Sequence, residues 1–152
     1  MFNEIRTGFL LSVFAVFCVA PLAIAGTDSR SVNADGDRLA IHGYDPVAYF
    51  TMKKPVKGKP EFSFSWHGAK WQFAVAKHRD LFARAPEQYA PQFGGFCAMA
   101  MTRGVTAEVD PKVWTIVEGK LYLNYNRKAG KEFRANVNEN IRKAERAWDK
   151  MN

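Results

Sequence analysis

One cysteine and two methionines at alternate positions carry the most conspicuous chemistry of this chain. Cys97, Met99 and Met101 close the segment Phe93-Gly94-Gly95-Phe96-Cys97-Ala98-Met99-Ala100-Met101. A glycine pair there lets the backbone turn. An extended segment would point all three sulfur side chains to one face. Thiolate and thioether are soft donors that suit Cu(I), and His42, His67 or His78 could add an imidazole. Each residue also has a plainer reading. The methionines could fill the core, and the thiol could be a small buried hydrophobe. His42, before Gly43, reads as exposed, and His67 reads as a solvent-facing turn residue.

A thiol-dependent enzyme or redox protein is the second chemistry. It needs a thiolate stabilised by nearby positive charge or a helix N-terminus, and a base or resolving partner. Arg103 is close in sequence, but there is no Cys-x-x-Cys pair. Gly-rich phosphate loops, Gly-x-Ser-x-Gly and His-Glu-x-x-His are also missing. The sequence therefore favours a protein that is not an enzyme. A third class is a structural or partner-binding module. Aromatic residues make up 14% of the chain, with four tryptophans; a cleft near Tyr44, Tyr49 and Trp114 could hold a small apolar ligand, but the favoured reading is that the tryptophan-rich hairpins simply pack on the C-terminal helix.

The elements that must position these groups begin after an export signal. Arg6 and the N-terminal amine precede an apolar run from Phe9 to Ala20, and Ala23-Ile24-Ala25 is a small-x-small cleavage site. Residues 1–25 are thus expected to leave, taking Cys18 with them. Cys18 is not a lipid-attachment site, because Phe17 stands where a small residue is needed. The alternative is an uncleaved anchor, but the run is at the short end for a span and Pro21 interrupts it. Glu4 and Arg6 cancel, so cleavage preserves the net charge of +7. That charge reads first as solubility and second as affinity for an acidic partner or an anionic envelope surface. Nucleic-acid binding is not expected, since no arginine-rich stretch interleaves with aromatics. Cleavage would leave no stable membrane span and a periplasmic or secreted protein.

Residues 26–38 are polar and read as a flexible leader, with order beginning near Leu39. Asp45-Pro46 starts a short helix, because aspartate caps free N–H groups and proline suits the first helical position. Lys53 to Pro60 reads as a loop. Phe62, Phe64 and Trp66 alternate with serines, and Trp71, Phe73 and Val75 alternate again beyond His67-Gly68-Ala69-Lys70, which predicts a hairpin. A helix from Lys77 to Arg84 and a helical turn at Pro86 follow. Asp110-Pro111 marks a turn. Val113 to Val117 and Leu121 to Asn124 predict a second hairpin around Glu118-Gly119-Lys120. Phe133, Val137, Ile141, Ala144 and Trp148 form one stripe on a long C-terminal helix. The expectation is an α+β fold: a small antiparallel sheet built from two hairpins, packed against that helix and shorter ones.

Three segments together resemble the YHS domain, in its exported bacterial single-domain branch. They are Gly43-Tyr44-Asp45-Pro46-Val47-Ala48-Tyr49-Phe50, Gly68-Ala69-Lys70-Trp71-Gln72-Phe73, and Phe82 with Pro86-Glu87-Gln88-Tyr89. The resemblance covers residues 39 to 148 and implies a small α+β domain over 39–150 with metal-related biology. Metal-associated members carry cysteines after Asp-Pro-Val, after the strand phenylalanine, and four residues beyond. Those positions are Ala48, Ala74 and His78 here. Alanine has no donor atom, so the family's site does not transfer and only His78 keeps ligand capacity. The reading that follows is an exported binding protein with a relocated soft-metal site: Cys97 as anchoring thiolate, with Met99, Met101 and His78 as co-ligands for Cu(I).

Overall fold

The computed structural model describes residues 31–151. The expected signal peptide and residues 26–30 of the expected leader lie outside the described residues. The rest of the leader packs. Asn33 is buried, its amide N–H donates to the Gly94 carbonyl at 2.8 Å, and its side chain donates to the Gly95 carbonyl at 3.2 Å. The domain's contacts therefore start ahead of Leu39. This explains the glycine pair better than a turn alone does. A Cβ on Gly94 would stand 2.1 Å from the Ser31 carbonyl oxygen, and Gly94 has φ +61°.

The fold is α+β. After a 3₁₀ turn at Ile41–Gly43 comes α1 (Pro46–Thr51), then the hairpin β1 (Lys59–Trp66) and β2 (Ala69–Phe73). Next are α2 (Ala76–Arg84), α3 (Pro86–Tyr89), a 3₁₀ turn at Phe93–Gly95 and α4 (Ala98–Met101). The second hairpin is β3 (Asp110–Val117) with β4 (Lys120–Asn124), followed by α5 (Arg127–Ala135) and α6 (Val137–Asp149). The hairpins form two separate two-stranded antiparallel sheets, not one. Their turns are tight. His67-Gly68 and Glu118-Gly119 each place two successive residues at positive φ, the geometry of a two-residue hairpin loop whose twist matches the strands.

Three expected boundaries move. Lys59 and Pro60 belong to β1 instead of the preceding loop, and Asp110-Pro111 opens β3 instead of turning. Val75 leaves the sheet as the residue before α2 and is exposed. The long C-terminal helix is two helices. Asn136 has φ −135° and ψ 54°, which no helix continues. The Asn140 side chain donates to the Glu132 and Phe133 carbonyls at 3.2 and 3.0 Å. It thereby satisfies carbonyls that α5 leaves open at its end. The apolar stripe steps over the break without losing its face, so periodicity alone could not reveal it.

Burial divides the interior into two clusters. The larger gathers Trp71, Phe73, Phe82, Tyr49, Ile41, Leu121 and Leu123, with Cys97 among them. The smaller gathers Phe93, Ala98, Met101, Tyr122, Phe133 and Ala144 under α6. β4 lies between them, and Leu121 to Asn124 are buried on both of its faces. Such two-sided burial is unusual for a hairpin strand in a small domain. Burial also pushes the Tyr122 hydroxyl up to about 12.

Candidate functional site

Cys97 is 2% exposed and stands just before α4. Its amide N–H donates to the Ala107 carbonyl at 2.9 Å. Its Sγ accepts from the Tyr125 amide at 3.3 Å and points its S–H toward Asn124 Oδ1 at 3.8 Å. The same Oδ1 accepts from the Met99 amide at 3.0 Å. Asn124 is fully buried, and its Nδ2 has no hydrogen-bond partner among the described residues. The thiol therefore sits in a small polar seam inside the core, joining the start of α4 to the end of β4.

The Cys97 to Met101 segment is not extended. Residues 98–101 are helical, so successive side chains turn by about 100° and alternate sulfurs no longer share a face. Met101 is fully buried in the smaller cluster, whereas Cys97 belongs to the larger and Met99 touches both. Alternation over five residues that include two alanines fits a strand by period, but a single helical turn fits the same string. The residue types could not separate the two.

His78 is held elsewhere, in an arrangement the sequence disclosed only at its first residue. Asp45 is fully buried. Its Oδ1 accepts from the Val47 and Ala48 amides at 2.9 and 3.2 Å, as the cap of α1. Its Oδ2 accepts from the Ala74 amide at 2.9 Å and from His78 Nδ1 at 2.6 Å. With three backbone amides already donating to the carboxylate, the 2.6 Å contact is satisfied by the His78 tautomer that carries its proton on Nδ1. His78 Nε2 lies 3.1 Å from Thr51 Oγ1, and Thr51 Oγ1 also donates to the Val47 carbonyl at 3.1 Å. The one hydroxyl proton can serve that carbonyl or an unprotonated Nε2, but not both. Both ring nitrogens of His78 are thus occupied, and metal ligation would break the Thr51 contact. This carboxylate–imidazole–hydroxyl row ties α1, the end of β2 and α2 together.

The other two histidines are at the surface. His42 Nε2 pairs with Glu108 at 3.2 Å, both side chains exposed. His67, in the hairpin turn, sets its ring edge-on to Trp66 with centroids 3.9 Å apart. Among the described residues no three His, Cys, Asp or Glu side chains converge as a metal cluster.

Around Tyr44, Tyr49 and Trp114 the aromatic rings pack, as the plainer sequence reading expects. Tyr49 is fully buried, donates its hydroxyl to the Pro111 carbonyl at 2.8 Å, and meets Trp114 edge-on at 5.4 Å. Burial raises its hydroxyl pKa far above the usual tyrosine range. Lys57 Nζ sits 4.9 Å over the Tyr44 ring. The open cleft is on another side, where the two hairpins meet α6. It has a volume of about 520 Å³. Trp66, Trp71, Phe93 and Trp148 form its walls, and His67, Glu87, Gln92 and Lys120 supply polar groups. Three of the four tryptophans therefore line one concavity. Sequence reasoning placed Trp66 and Trp71 on one hairpin and Trp148 on the last helix, but no local pattern says that these elements meet.

Comparisons with protein-family models, with curated proteins and with solved structures found no match to this chain.

Proposed function

We propose that this protein is an exported, non-catalytic binding module of YHS type. Its ligand site is the tryptophan-lined cleft between the hairpins and α6. The supporting observation is the cleft itself: about 520 Å³, within the range of small-molecule pockets. Aromatic walls with a few polar groups at the edge favour a flat, mainly apolar ligand carrying a polar or ionic substituent. The charged groups have both signs, Glu87 against Lys120 and His67, so net charge alone does not select the ligand. Anilinonaphthalene sulfonate, which is flat, aromatic and anionic, is a suitable probe. Calorimetric titration is expected to give one site, with affinity about two- to ten-fold weaker in Trp148→Ala, because one aromatic stacking contact contributes about 0.5–1.5 kcal/mol. Equal affinity in that variant, at unchanged circular dichroism, would rule the cleft out.

A second reading keeps Cys97 as an anchor for Cu(I) with Met99 beside it, whereas Met101 lies in the other cluster and His78 is held by Asp45 and Thr51. The observation that favours it is the polar seam around Sγ, where the Tyr125 amide donates to the sulfur at 3.3 Å. Cation binding would have to draw Cys97 out of its seam, since the thiol is 2% exposed. The plainer reading, a packed structural thiol, makes a direct prediction. Native Cys97 should react with iodoacetamide roughly a thousand-fold or more slowly than the unfolded chain, because reagent reaches only opened molecules. Rapid alkylation at neutral pH, or Cu(I) uptake under reducing conditions that Cys97→Ala abolishes, would favour the metal or thiol chemistry instead.

A further inference from the structure

A second concavity lies on the opposite character of surface, where the turn after α4 faces the last turns of α6. It encloses about 560 Å³ and is lined by Thr102, Arg103, Gly104, Lys143, Arg146, Ala147, Lys150 and Met151. Lys143, Arg146, Ala147 and Lys150 recur at the spacing of one helix face, and Arg103 opposes them from the other wall. Four cations therefore converge on one hollow. Lys143 is paired with Glu139 at 2.6 Å, whose carboxyl that ammonium holds below its usual range. Arg103, Arg146 and Lys150 make no ion pair among the described residues. Asp149 and Glu145 are on the same helix but do not line the hollow, and Glu145 is taken by Lys120 at 3.5 Å.

One cation near the end of α6 is ordinary, because it offsets the partial negative charge of the terminal carbonyls. Three cations without an ion pair among the described residues, beside the paired Lys143, repel one another and exceed that need. Met151, one of the few exposed large apolar side chains, lines it at 48% exposure, and Val105, at 51%, is the next residue after the lining Gly104. Cations beside short exposed apolar side chains suit an interface where phosphate headgroups meet acyl chains. No helix among the described residues is long and apolar enough to cross a membrane.

We propose that this hollow docks the domain on an anionic lipid surface, with the cations on headgroup phosphates and with Val105 and Met151 at the interface. The inference is independent of the tryptophan cleft. Its test is co-sedimentation of the processed protein, its N-terminus read by mass spectrometry, with vesicles of phosphatidylglycerol or of phosphatidylcholine. Comparing the two vesicles subtracts any apolar contribution from the N-terminal segment. Preferential binding to phosphatidylglycerol that weakens with salt is expected. Each surface cation contributes about 1 kcal/mol, or about five-fold, near such a membrane. The triple variant Lys143→Gln, Arg146→Gln, Lys150→Gln should therefore lose on the order of a hundred-fold, and Arg103→Gln alone about five-fold. The control Lys53→Gln, Lys54→Gln, Lys112→Gln removes the same charge elsewhere and should lose far less. Three results overturn the proposal: no preference between the vesicles, an equal loss in the control, or full displacement by free glycerol phosphate, which would make the hollow a soluble-anion site. If the triple variant melts abnormally, the Arg103→Gln result decides, since that residue is exposed and on a different element.

Discussion

Replacing Asp45 with alanine is expected to lower stability by about 3–5 kcal/mol, the scale for breaking a buried charged pair by removing one partner. The carboxylate accepts from three backbone amides and from His78, and it is fully buried. Alanine would leave the Val47 and Ala74 amides and His78 Nδ1 without an acceptor, whereas the Ala48 amide keeps the Asp45 carbonyl at 3.3 Å. Each orphaned buried donor costs about 1–3 kcal/mol, part of which relaxation recovers. Against a total stability of about 5–15 kcal/mol, the loss should bring the melting point down by roughly 15 °C. Asparagine is not a rescue. Its Oδ1 could still cap α1, but its Nδ2 would meet the Ala74 N–H, donor against donor. His78→Ala should cost less than Asp45→Ala, because the three amide contacts to the carboxylate survive. Thermal and urea unfolding of the three variants give the order Asp45→Ala worst and His78→Ala mildest. The reverse order would mean that the imidazole, not the carboxylate, organises this corner.

Phe82→Ala carries the second large effect, about 3–5 kcal/mol. Phe82 is fully buried and is the hub of the aromatic core. Its ring centroid lies 5.2 Å from those of Trp71 and Phe73, 5.6 Å from Trp66 and 6.3 Å from Phe64. Truncation removes the ring's transfer free energy and leaves a cavity between rigid indoles that cannot collapse to fill it. Phe82→Leu keeps most of the volume and should cost about 1.5 kcal/mol or less. Trp66 and Trp71 also form the cleft wall, so Phe82→Ala should weaken probe binding although Phe82 does not line the cleft. A loss below about 1 kcal/mol in urea unfolding would show that α2 is not the element that clamps the first hairpin.

The two hairpins were legible because alternation and glycine turns are local signals: Phe62, Phe64 and Trp66 state their own face. Asp45-Pro46 was legible as a helix start for the same reason. That Asp45 also binds Ala74 and His78, far along the chain, was not, because no local rule encodes which distant groups a cap will serve. The break at Asn136 was hidden by a stripe that keeps its phase across it. The sulfur segment misled through brevity, since five residues cannot distinguish period two from one helical turn. The cleft was the least legible feature. Its walls come from the first hairpin, the Phe93–Gly95 turn and α6, elements far apart in sequence.

The most direct measurement of the account compares tryptophan fluorescence in Trp148→Phe and Trp114→Phe during titration with anilinonaphthalene sulfonate. Trp148 lines the cleft, whereas Trp114 packs against Tyr49 and does not line it. The account predicts that Trp114→Phe keeps the wild-type quenching and affinity, while Trp148→Phe loses part of both. Equal curves for the two variants, or quenching that depends on Trp114, would contradict the assignment of the cleft as the binding site.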